Sequence, residues 1–201
     1  MTDGDVFTRV RPWSPRLFLL AAVGAAAFAA NNALTAYAGT SYPLVGTIVA
    51  PAAFALGVVG LLGLSADLVP TGGPLARVAR GVAVLPVVTW LLLIVGGTAE
   101  YVGLLSGESG LAPVLSIATI GLMVLTYLLF GVTTLRTDVP PTAVGVLMLL
   151  EAAAFLLVVS RLVPPVAIDV LHTGVHLGIG GLLVSLGTDP AGTDVPADST
   201  A

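Results

Sequence analysis

Two histidines, an aspartate and several glycines crowd into Asp169–Gly181, read as Asp-Val-Leu-His-Thr-Gly-Val-His-Leu-Gly-Ile-Gly-Gly, and the chain has no other histidine. At about 100° per residue, Asp169, His172, Thr173, His176 and Gly180 fall on one face of a helix. Asp-x2-His-x3-His supplies three oxygen and nitrogen ligands suited to zinc or a similar divalent cation, with water, Glu151 or Glu100 in a fourth position. The same groups can instead relay protons, since histidine changes its charge near neutral pH. A third reading gives no site at all: each histidine hydrogen-bonds a backbone carbonyl or Glu151. Haem fits poorly, because two histidines on one helical face cannot grip an iron from opposite sides.

Glu151 stands near the middle of an apolar run. A charge at the centre of a bilayer costs roughly 2.5–3.5 kcal/mol on insertion scales, so such a residue stays protonated or faces a partner or a cavity. Glu151, Glu100, Arg161 and Asn31 are therefore the expected proton or ligand contacts, beside Asp169, His172 and His176 as the metal set. Gly174, Gly178 and Gly181 lie roughly opposite the histidines and predict close approach of a neighbouring backbone.

The elements that must position these residues are set by composition. The 201 residues are 57% hydrophobic and 9% charged, with a mean hydropathy of +1.07. A soluble domain carries about 25% charged residues, so this chain belongs in the lipid bilayer. All seven basic residues are arginine and the pI is near 4.8, the usage of a salt-adapted, GC-rich organism such as a halophilic archaeon. Cysteine is absent, which excludes disulfides and thiolate chemistry, and no basic patch suits nucleic acid.

Six apolar runs follow in order: Leu17–Tyr37, Pro43 to about Ala66, Gly81–Tyr101, Ala112–Leu135, Thr142–Ser160 and Val166–Leu186. They predict an all-α integral membrane bundle of six transmembrane helices over residues 16–187, with a loop at Asp67–Arg80. Residues 1–15 read as a cytoplasmic N-terminal tail, and 188–201 as a disordered, acidic cytoplasmic tail. Leu17–Tyr37 is longer than the apolar core of a secretory signal, so it is read as a helix despite Ala36-Tyr37-Ala38, which resembles a cleavage site. Six crossings put Arg9, Arg11, Arg16, Arg77, Arg80 and Arg136 on one side and Arg161 on the other. That bias places both termini in the cytoplasm of a multi-pass cell-membrane protein. Asn31, Asn32, Glu100, Arg161, Asp169 and His172 then share the outer half of the membrane.

Two patterns go further. Pro43, Pro113 and Pro165 open the even runs, and Asp67, Asp138 and Asp189 follow them by 24, 25 and 24 residues. The spacing is compatible with three helical hairpins of one descent. The His-x3-His pair on the last helix resembles that of the membrane zinc hydrolases related to alkaline ceramidases and adiponectin receptors. In that family a further histidine from an early helix completes the site and the fold has seven spans. Here only His172 and His176 match, so the resemblance is confined to one helix and the activity is not carried over.

The expected protein has an outward-facing polar pocket, formed by Asp169, His172 and His176 over Glu151. It binds a divalent metal or relays protons as a transporter or sensor. The alternatives are a structural or assembly subunit of a membrane complex, working with a protein partner or as a homo-oligomer, and a membrane-embedded metal-dependent hydrolase.

Overall fold

The computed structural model describes residues 6–104, 111–160 and 162–187. Among them every regular element is helical: α1 (Val6–Val10), α2 (Ser14–Ala38), α3 (Ala50–Tyr101), α4 (Leu111–Thr137), α5 (Thr142–Ser160) and α6 (Pro165–Gly187). Five stretches are long and apolar enough to cross a membrane: Val6–Ala38, Val45–Tyr101, Pro113–Thr137, Thr142–Ser160 and Pro165–Gly187. The acidic tail 188–201 and Glu108 lie outside the described residues.

Local chemistry explains most helix ends. Pro15 and Pro165 stand in first turns, where a missing N–H costs nothing. Gly39 closes α2 in the left-handed conformation at φ 65°, returning its N–H to the carbonyl of Leu34. Before α3 the chain makes one π-helical turn at Val45–Val49. Pro51 has no N–H to give the carbonyl of Thr47, and Gly97 packs against that residue.

The expected loop at Asp67–Arg80 is helical instead, and only Gly73 leaves helical geometry, at φ 59° and ψ −139°. Phe54 and Trp90 lie on either side of it and stack with ring centroids 5.5 Å apart. A straight helix would hold them roughly 54 Å apart. The chain therefore folds back at Gly73. Only glycine adopts that conformation readily, and Pro74 starts the second arm as prolines start helices. The polar tail expected at 1–15 is likewise helical from Val6, joined to α2 by a 3₁₀ turn at Arg11–Trp13.

Small residues set the packing. The ring of Phe18 lies where a Cβ on Gly60 would be, and the hydroxyl of Ser14 fills the space beside Gly63. On α6 close approaches fall on both faces: Gly180, beside the histidines, meets Leu19 and the carbonyl of Pro15, and Gly178 meets the side chain of Leu147, whereas Gly174 and Gly181 meet nothing. Val170 and Leu177 are exposed on the far side, so α6 lies at the edge of the bundle and not in its centre.

One end of the bundle gathers charge. Arg11 Nε lies 2.7 Å from Asp67 Oδ2, and the guanidinium of Arg80 sits 5.0 Å from the ring centre of Phe7. Gly72 beside Thr133 brings the end of α4 to the same place. The exposed sides of the second arm of α3 and of α4 carry Leu91, Leu92, Val95, Val114 and Ile117, an apolar exterior suited to lipid.

Candidate functional site

Glu151 and His172 meet inside the bundle. α5 carries the glutamate inward with Met148, Ala152 and Phe155, and α6 presents its histidines on the face that packs toward α2 and α5. His172 Nδ1 lies 2.7 Å from Glu151 Oε1, and the two side chains are 2% and 0% exposed. No water can substitute for either partner at that depth, so the pair must satisfy itself.

His176 has a defined tautomer. Its Nδ1 lies 2.8 Å from the carbonyl of His172. A carbonyl only accepts, so Nδ1 carries the hydrogen and donates. In the neutral ring Nε2 is then an acceptor, and the hydroxyl of Tyr127, 3.1 Å away, donates to it. His176 Nδ1 also lies 3.6 Å from Glu151 Oε1, beyond hydrogen-bond range but close enough for attraction.

Aromatic rings surround the two histidines. Phe155 lies 4.5 Å and Phe54 5.2 Å from the ring of His172, and Phe18 lies 6.0 Å from that of His176. Within them Glu151 Oε2 is buried and has no hydrogen-bond partner among the described residues. Gly57 completes the enclosure, because a Cβ there would stand 2.6 Å from His176 Nε2 and 3.0 Å from the Tyr127 hydroxyl.

Next to the pair lies a pocket of about 750 Å³. Phe28, Phe54, Trp90 and Phe155 form its apolar wall, and Asn32, Asp169 and His172 are its polar lining. The turn Leu162–Pro165 between α5 and α6 borders it, at the opposite end from the Arg11–Asp67 pair. Asn32 Nδ2 donates to Asp169 Oδ2 across 2.7 Å and ties α2 to α6.

The expected site residues are thus sorted into different places. Glu151, His172 and His176 come together. Asp169 is at the pocket, engaged with Asn32 and not with a histidine nitrogen. Among the described residues no group of three His, Asp or Glu side chains is placed to hold a metal ion. Both nitrogens of His176 and Nδ1 of His172 face protein partners. Asn31 turns away: its Oδ1 accepts the N–H of Tyr42 at 2.7 Å and anchors the turn after α2. Glu100 stands at the end of α3, outside the pocket lining, with its carbonyl accepting the N–H of Gly103. Arg161 lies outside the described residues, and so does its expected pairing with Glu100 or Asp169.

Tyr127 is the member of this network that sequence reasoning passed over, and Asn32 was placed in the outer half without a contact of its own. Tyr127 left a trace, since a tyrosine in the middle of an apolar run needs a partner for its hydroxyl. No protein-family model, curated protein or solved structure matches this chain.

Proposed function

We propose that this chain is a six-span protein of the cell membrane, with both termini cytoplasmic. It admits a small ligand at its outer end and moves a proton on the Glu151–His172 pair as it does so, as a transporter or a sensor. The arginines expected on the inner side support the orientation, and the fold-back at Gly73 supports six crossings. A stretch of 57 residues would make a helix about 85 Å long, against a hydrocarbon core of about 30 Å.

The observation that carries the functional reading is the carboxyl of Glu151. It is wholly buried, holds one oxygen on His172 and leaves the other without a partner among the described residues, behind a pocket lined by that same histidine. A group kept only to join two helices would have its polar atoms satisfied. A group that exchanges a proton needs an unfilled position in one of its states. A ligand that changes the field at His172 shifts the proton between imidazole and carboxylate, and His176, Tyr127 and Asp169 are the other titratable groups facing the pair.

Infrared difference spectroscopy tests this across about pH 4–9, the range in which carboxyl and imidazole groups titrate. A protonated-carboxyl band should appear and vanish with pH, be lost in Glu151→Gln, and shift its midpoint in His172→Gln. A Glu151 carboxyl that never changes state over that range would overturn the proposal.

A further inference from the structure

We infer that the ligand of this pocket is an organic cation, a protonated or quaternary amine on an apolar or aromatic body, seated against Phe28, Phe54, Trp90 and Phe155 with its charge toward Asp169. The inference rests on the pocket proposed above and adds the chemistry of what enters it.

The side-chain oxygens at the cavity are acceptors. Asn32 has turned its amide N–H toward Asp169, which leaves its own carbonyl oxygen as its free atom. Asp169 uses Oδ2 for that bond, and its Oδ1 has no hydrogen-bond partner among the described residues. His172 presents Nε2, a donor whenever the ring shares a proton with Glu151 and an acceptor only when the neutral ring keeps its hydrogen on Nδ1. The two oxygens, both acceptors, call for a ligand rich in donors or bearing positive charge. Among the described residues no arginine lines the cavity, and the chain contains no lysine.

The walls point the same way. The faces of Trp and Phe attract cations, and four such rings line one side of the cavity. Phe54 stacks on Trp90 and meets Phe155 edge to face at 5.4 Å, so the rings come already ordered. An anion would meet the Asp169 carboxylate with no arginine among the described lining residues to offset it. A purely apolar guest would leave Asp169 and Asn32 desolvated and unanswered.

Trp90 reports directly, since Trp13→Phe leaves it as the chain's one tryptophan. In that background, phenethylammonium and benzyltrimethylammonium should change the Trp90 emission saturably in detergent. Phenethyl alcohol, of similar shape but neutral, and phenylacetate should bind at least tenfold more weakly. Asp169→Asn should weaken the ammonium probes about tenfold or more and leave the alcohol unchanged. Equal binding of cation, alcohol and acid, or preference for the acid, would overturn the cation assignment. So would the absence of any saturable response to either ammonium probe. The infrared titration of Glu151 is independent of these ligands, so the proton proposal can survive a failure here, and the reverse.

Discussion

Removing the hydroxyl of Tyr127 leaves His176 Nε2 as a buried acceptor with no donor. Hydrogen bonds between helices in lipid average about 0.6 kcal/mol and reach about 1.7, because the unfolded chain finds other partners there. Tyr127→Phe should therefore cost about 0.5–2 kcal/mol in a detergent unfolding titration. Gly57→Ala should cost more, about 1–3 kcal/mol, because its methyl group has to displace an imidazole that is held at both nitrogens. If the alanine variant proves the more stable of the two, the tight fit around His176 is wrong. The sequence alone pairs Glu151 with a histidine as one of its readings, since two ionisable residues in apolar runs need each other. It does not separate Asn31 from Asn32. Adjacent residues differ by about 100° around a helix, and only the rotation of α2 against α6 decides that Asn32 reaches Asp169 while Asn31 faces the turn.

Among the elements, α5 is the one whose limits the apolar pattern and the structure share, Thr142–Ser160 in both. Its start is fixed by Asp138, four residues earlier, whose Oδ1 accepts both the hydroxyl and the N–H of Thr142. Those bonds, the hydroxyl's first, hold the Asp138 carboxyl below its usual 3.8. A carboxyl lowered in the folded state stabilises the fold above its ordinary titration point and loses that contribution as pH falls through the lowered one. Protection of the Thr142 amide, its exchange relative to an unstructured amide at the same pH, should thus be full near neutral pH and fall as the pH drops below about 3.8. In Asp138→Ala it should be low at every pH. A Thr142 amide indifferent to both changes would remove the cap. The turn at Gly73 was harder to read. Pro70, Gly72, Gly73 and Pro74 look like a loop in sequence, yet a single left-handed glycine suffices for the reversal and the prolines are absorbed into helical turns.

At the scale of the whole molecule the absence of cysteine makes the topology measurable, since any cysteine introduced is unique. With six crossings, Thr40→Cys and Leu104→Cys should react with an impermeant maleimide from the same, outer side. Thr8→Cys, Thr71→Cys and Val139→Cys should react only from within. Finding Thr40 and Leu104 on opposite faces would mean that residues 45–101 cross once. Apolar content made the membrane helices legible from the start. The pocket was not, because its wall draws on Phe28, Phe54, Trp90 and Phe155, residues scattered over the chain that no local pattern links.

The pairing of Glu151 with His172 also has a consequence for how the protein is made. Its carboxyl emerges from the ribosome with α5, while both histidines follow only with α6. Between those moments the nascent chain holds an acidic side chain at bilayer depth with neither imidazole to meet it. Until then Glu151 has to stay protonated, or the insertion machinery has to shelter α5 or deliver α5 and α6 together. A chain that ends at Ser160 lacks the means to bury Glu151, and in the cell it should be cleared by membrane proteases while the full-length protein accumulates.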